Sequence, residues 1–265
     1  MYVLDRLPIW AIYLLTVGLV LLVTEVGFRV GVRLRRRDPS LEDGAMTGAV
    51  VGGLLGLLAF LLAFSIGIAL NQYNTRRQLV ITEANAIGTS YLRAGFLGET
   101  DSVAVRDLLR EYVDLRLAAL DPAKLDESIL RSEEIHNQLW SIIEQQASEN
   151  PGSVMLGLFV DAVNEVIDVH SLRVVGNSEL RLPPLMWQVF YGIAGLSFLL
   201  VGLISSADGR RNPIAVLLFA LALTAVLVLI VDLDRTQEGL LRVGHKALLD
   251  LQRTISASVP SNLPR

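Results

Sequence analysis

The chain contains no cysteine, which excludes a disulfide framework, a thiolate nucleophile and a cysteine-ligated metal. Aromatic residues make up only 6% of it, and histidine occurs three times, at His136, His170 and His245. These lie far apart, none with a second histidine four residues on, so no histidine metal motif is present. There is no glycine-rich phosphate loop, no GxSxG and no HExxH. No stretch alternates apolar and polar residues long enough to suggest a sheet. Asp161, Glu165 and Asp168 share a helical face, but hard-cation cages usually draw on a turn or on several elements, so the face reads as solvated. Glu133 and Glu134 read the same way. The expectation is an all-α protein that is not an enzyme and carries no cofactor or metal.

What the chain does have is long apolar runs. Of 265 residues, 52% are hydrophobic, and the mean hydropathy is +0.50, too apolar for an ordinary soluble domain. Residues 8–28, "PIWAIYLLTVGLVLLVTEVGF", are interrupted only by Glu25. Residues 45–70 contain no ionisable group and would extend about 39 Å as a helix, beyond the roughly 30 Å hydrocarbon layer. Residues 185–205 and 213–231 are two further uncharged runs of spanning length. The first run has Asp5 beside Arg6 instead of a basic leader, and arginines instead of a small-residue cleavage site follow it, so it is read as a retained span. Glu25 is costly to bury alone, and Arg29, one turn later, is its expected partner in a salt bridge at the membrane edge, in preference to a permeation role for the acid.

These runs define an all-α integral membrane protein with four transmembrane helices and a helical domain inserted between the second and third. The expected organisation is 1–70, two spans joined by an Arg-rich loop; 71–184, the helical domain; 185–233, two further spans; and 234–265, an amphipathic tail. Within 71–184 helical periodicity runs over 78–97, 101–120, 124–148 and 153–175, with breaks at Gly98, at Asp121 and Pro122, and at 150–152. This domain holds ten Lys and Arg against seventeen Asp and Glu, a balance of −7 against −4 for the whole chain. Nucleic acid is thereby excluded as a partner. Arg29, Arg33, Arg35, Arg36 and Arg37 after the first span, with Arg210 and Arg211 between the third and fourth, place those loops in the cytoplasm by the positive-inside rule. Both termini and the helical domain would then lie outside.

The second span continues into the domain without a proline or a turn cluster. Leu57, Phe60, Phe64 and Ile68 stand at steps of three and four, and the same steps reach Asn71, Thr75, Gln78, Thr82, Asn85 and Thr89. One helix face is therefore apolar in the membrane and uncharged but polar beyond it. Arg76, Arg77, Glu83 and Arg93 fall off the stripe. Phe and Ile would suit packing or lipid exposure as well. Several copies around an axis, however, would form a hydrophobic constriction, gating by dewetting, that opens into a hydrogen-bonding vestibule. Gly48, Gly52 and Gly56, with Gly53 beside them, form small-xxx-small steps that permit close helix approach and thus oligomer packing.

The segment "AFSIGIALNQYNTRRQLVITEANAIGTSYLR", together with "VDLDRTQEGLLRVGHKALLDL", resembles the bacterial bestrophin-like domain proteins over nearly the whole chain. The first segment more distantly resembles the pore-neck helix of bestrophin ion channels. The resemblance implies a homopentamer in a bacterial inner (plasma) membrane, with lipid and small inorganic ions as its other partners. By motif position Phe60, Phe64 and Ile68 would be the neck and Asn71 to Thr89 the vestibule lining. It also implies a cytoplasmic helical domain, opposite to the arginine count. Asp232, Asp234 and Arg235 mark the exit of the fourth span. Leu240, Leu241, Leu248, Leu249, Leu251 and Ile255 make the tail amphipathic, suited to lie on the helical domain or the membrane interface. Two functions follow: an ion channel lined by the second span, or a non-conducting scaffold or sensor whose acidic domain docks a protein. A secondary transporter fits less well, for lack of an inverted repeat.

Overall fold

The computed structural model describes residues 7–37, 44–179, 181–206, 213–235, 241 and 243–257. They form eight α-helices: α1 (Ile9–Arg37), α2 (Gly44–Arg93), α3 (Glu99–Ala118), α4 (Leu125–Glu149), α5 (Val154–Glu179), α6 (Pro184–Ser205), α7 (Pro213–Asp234) and α8 (Lys246–Ala257). Short 3-10 turns occupy Ala94–Phe96 and Pro122–Lys124. Among the described residues there is no strand. Helices α1, α2, α6 and α7 are each long and apolar enough to cross a membrane. The chain divides into two compact units, Met1–Tyr73 with Arg181–Leu241, and Asn74–Leu180 with Arg242–Arg265.

The breaks fall where the local chemistry demands them. Asp121 accepts a hydrogen bond from the Ala123 amide at 3.0 Å, and Pro122 opens the 3-10 turn that precedes α4. Gly152 takes φ +95°, a conformation open to glycine at no steric cost, and Ser153 accepts the Leu156 amide to cap α5. Nothing comparable interrupts α2, which runs 50 residues. The arginine-rich segment 29–37, expected as a loop, is instead the last turns of α1. Arginine is a good helix former, and Arg35, Arg36 and Arg37 sit at the helix C-terminus, where cations are favoured. Arg210, Arg211 and Leu240 lie outside the described residues.

In the first unit, α1 packs on α6 and α7. Leu58, Leu62 and Ala69 of α2 join a core with Trp187, Phe190, Leu227, Ile230 and Val231. In lipid such a core is held by close packing and interhelical polar contacts. Thr16 and Tyr191 share a 3.0 Å hydrogen bond, and Tyr13 donates to the Leu221 carbonyl. The tightest approach is backbone to backbone: a Cβ on Gly27 would overlap the Leu199 carbonyl, and one on Gly202 the Thr24 carbonyl. Gly31 faces the Ser206 side chain in the same way, so Gly27 and Gly31 form the small-xxx-small seam of this unit. Replacing Gly202 by valine is expected to cost at least about 1–3 kcal/mol by overpacking a site that cannot yield. A fall in the thermal midpoint of the detergent-solubilised protein, set against a near-neutral Gly192→Val where space is open, checks it.

The second unit is built from the continuation of α2 with α3, α4, α5 and α8. Val80 and Ile87 of α2 meet Leu109, Tyr112 and Val113 of α3, Ile135 and Leu139 of α4, and Phe159, Val163 and Val166 of α5. Leu248 and Ile255 of α8 are buried in the same core, with Leu251 packed against it. Of the tail's apolar residues, Leu248, Leu251 and Ile255 thus lie on helical-domain residues, Leu241 and Leu249 are exposed, and Gln252 donates to Asp114.

Candidate functional site

Helix α2 presents two different sides. Leu58, Leu62, Ser65, Ala69, Arg76, Val80, Glu83 and Ile87 are buried. On the opposite side Leu57, Phe60, Phe64 and Ile68 are exposed, Phe60 by 61% and Phe64 by 64%. That is large for phenylalanine in a packed helix, and it places the pair outside the chain's own core. Their rings lean on one another at 5.6 Å between centroids. Continuing along this side, Asn71, Thr75, Gln78, Asn85 and Thr89 are exposed and Thr82 is half-buried. The stripe read from spacing is therefore exposed at every position but Thr82, apolar from Leu57 to Ile68 and hydrogen-bonding from Asn71 on.

The glycines Gly48, Gly52, Gly53 and Gly56 have open space where a Cβ would stand. Close approach within the chain belongs to Gly27, Gly31 and Gly202, and the α2 ridge touches none of it. Glu25 and Arg29 pair as expected, Nε to Oε1 at 2.8 Å. Asp161, Glu165 and Asp168 are exposed, and no group of three or more His, Cys, Asp or Glu able to hold a metal occurs among the described residues.

The second unit encloses a cluster that the sequence did not disclose. Glu83 of α2 is fully buried and accepts from two side chains, Tyr112 Oη at 3.1 Å to its Oε1 and Arg173 to its Oε2, while the Arg116 guanidinium forms an ion pair with Oε1, Nε to oxygen at 2.9 Å. Burial works to raise the Glu83 pKa, but the Arg173 and Arg116 guanidiniums outweigh it and hold the carboxyl below its usual range. Because that carboxylate takes the single Tyr112 proton, the 3.1 Å contact between Tyr112 Oη and His170 Nδ1 requires the imidazole to donate from Nδ1. His136 stands edge-on to His170 at 4.9 Å and against Tyr112 at 5.2 Å. Burial first, then the Arg116 charge, lowers both histidines to about 4, so both rings are neutral at pH 7. Burial also pushes the Tyr112 hydroxyl well up from its ordinary value, with Glu83 adding to the effect. Helices α2, α3 and α5 thus meet on one carboxylate, and α4 joins them through His136, which packs on Tyr112 and His170.

The signal for this cluster was present as position rather than motif. Glu83 falls in register with Val80 and Ile87, Tyr112 and Arg116 with Leu109 and Val113, and His170 with Val163 and Val166. Each polar group occupies the buried phase of its helix. At the exit of α7, Asp234 accepts the Leu182 amide at 2.7 Å with Arg181 nearby, Asp232 accepts the Leu241 amide, and Arg235 donates to the Leu7 carbonyl. The "VDLDR" segment therefore ties the ends of the first unit's helices together.

With four helices each long and apolar enough to cross a membrane, and no strand among the described residues, this is an integral, multi-pass membrane protein. Its sequence matches the Bestrophin-like domain over residues 14–248, and the chain belongs to that family. No curated protein and no solved structure matches it.

Proposed function

We propose that this protein is an ion channel of a bacterial inner membrane. On this reading it assembles as a cyclic homo-oligomer, pentameric on the bestrophin pattern, with α2 facing the axis. The carrying observation is the exposed side of α2, apolar at Leu57, Phe60, Phe64 and Ile68, then uncharged and polar from Asn71 to Thr89. Bulky apolar rings impose a dehydration barrier, and amides and hydroxyls beyond them supply ligands to a partly dehydrated ion. The open ridge of Gly48, Gly52, Gly53 and Gly56 gives neighbouring copies a surface for close approach. Phe60, Phe64 and Ile68 then form the constriction, and Asn71, Thr75, Gln78, Thr82, Asn85 and Thr89 line the vestibule.

Replacing Phe64 by alanine is expected to raise ion flux into proteoliposomes about tenfold, the effect of lowering a barrier by about 1.4 kcal/mol. Gln78→Ala should change flux much less. Silence of both wild type and Phe64→Ala across Na⁺, K⁺ and Cl⁻ gradients, with the oligomer intact, would transfer the assignment to a non-conducting scaffold whose acidic unit docks a protein.

The arginine end of α1 is assigned to the cytoplasm and the helical unit to the outside. Because the chain has no cysteine, a single Glu127→Cys probe reports cleanly. Labelling by an impermeant maleimide in intact cells is the expected result, and labelling only after permeabilisation reverses the orientation.

A further inference from the structure

Two cavities of the first unit adjoin along α1 and share Phe28. One, about 170 Å³, lies among α1, α6 and α7, lined by Leu21, Thr24, Glu25, Phe28, Gly202, Ser205, Pro213 and Val216. The other, about 280 Å³, is an open groove along the last turns of α1, lined by that helix alone at Phe28, Arg29, Val32, Arg33 and Arg36.

Their chemistry differs in a directed way. In the first cavity the hydroxyls are already satisfied by their own helix, Thr24 donating to the Val20 carbonyl and Ser205 to the Val201 carbonyl. Glu25 is paired with Arg29. With those groups paired, what this crevice chiefly offers a ligand is the hydrocarbon of Leu21, Phe28, Pro213 and Val216. In the second cavity the arginines at 29, 33 and 36 recur at steps of four and three on one face of α1. Arg29 answers Glu25, while Arg33 and Arg36 are exposed and have no acidic partner among the described residues. Exposed Val30 and Leu34 flank them. From Leu21 to Arg36 the helix rises about 22 Å, and along that length the lining passes from apolar to twofold positive.

We infer that this paired cavity is a binding site for one anionic phospholipid per chain, with an acyl chain in the α1/α6/α7 crevice and the phosphate held by Arg33 and Arg36. Guanidinium forks match phosphate oxygens in charge and in planar geometry. A lipid is favoured over a soluble phosphate because the basic cavity continues into an apolar one on a helix that crosses the membrane. The site is independent of whether α2 lines a pore.

The test uses the full-length protein delipidated in detergent, with added dioleoyl phosphatidylglycerol or dioleoyl phosphatidylcholine and native mass spectrometry as the readout. Wild type should bind phosphatidylglycerol saturably at one per chain and at least about tenfold more tightly than phosphatidylcholine, and millimolar inorganic phosphate should not displace it. The Arg33→Gln/Arg36→Gln protein should lose the preference, and Val216→Trp, which fills the crevice and leaves every arginine in place, should lose the stoichiometric adduct. Both variants are checked for unchanged helicity and elution. Phosphatidylglycerol adducts that accumulate without saturation and survive Val216→Trp would overturn the site in favour of diffuse attraction to the arginine cluster. Displacement by inorganic phosphate would assign the site to a free anion.

Discussion

Replacing Glu83 by glutamine is expected to lower the stability of the helical unit by roughly 3–5 kcal/mol. The side chain keeps its shape, so the loss is electrostatic: two guanidiniums, Arg116 and Arg173, stay in the interior with no carboxylate between them. Tyr112 also exchanges a charged acceptor for a neutral one. The interaction is worth much less as a net contribution than its removal costs, because taking three charges out of water is itself expensive. The two quantities separate in one experiment. A triple variant, Glu83→Gln with Arg116→Met and Arg173→Leu, should recover most of the loss, as apolar replacements for buried ion pairs commonly do. Denaturant midpoints of the three proteins give the comparison. A Glu83→Gln protein as stable as wild type would mean that water already reaches the carboxylate.

Acidification should weaken the same unit in a window set by its histidines. Burial, then neighbouring arginine charge, holds His136, His170 and His245 at about 4 in the folded protein, against about 6.5 when unfolded. Above pH 6.5 neither state takes up the protons and the three rings cost nothing. As the pH falls from 6.5 to about 4 the unfolded chain binds protons that the folded chain refuses, so stability declines through that interval and levels off below it. For the deeply buried His136 and His170 the loss is about 2–3 kcal/mol each at pH 4, and for the more accessible His245 it is less. Thermal midpoints between pH 7.5 and 4 should show this slope in wild type, and His136→Gln/His170→Gln should flatten most of it. An equal slope in the double variant would assign the acid sensitivity to carboxylates instead.

How far these features were legible depends on the range of the interaction that creates them. The spans follow from uncharged runs, since the bilayer imposes a length and a composition on each segment by itself. The helix breaks at Gly98, at Asp121 with Pro122, and at 150–152 are equally local. The two-phase side of α2 was readable because its residues are neighbours at steps of three and four on one helix. Segment 29–37 misled because a charged run after a span suggests a loop, whereas arginines extend a helix readily and are favoured at its C-terminus. The Glu83 cluster could not be read by motif, because His136 and His170 become neighbours only through the pairing of α4 with α5, and both meet Tyr112 only once α3 is docked. The seam of Gly27 and Gly31 against Gly202 is another long-range fact. The glycines of α2 formed the longer ridge in sequence, yet the overlap with backbone occurs at Gly27 and Gly202.

That seam joins residues made far apart in time. Gly27 meets Leu199, and at about 5–20 residues per second a ribosome takes roughly 10–35 s to travel from one to the other. For that interval α1 waits without the helix it is shaped to receive, its close-packing groove filled by lipid or by the insertion machinery. The intervening chain, α2 to α5, is completed first and collects most of its own core, but Leu248 and Ile255 of α8 are supplied only after α6 and α7 have been made. Each unit is thus closed by a segment synthesised after the other has begun. Nascent chains stalled before α6 should therefore be open substrates for membrane proteases, and those stalled between α7 and α8 should be vulnerable in the helical unit alone.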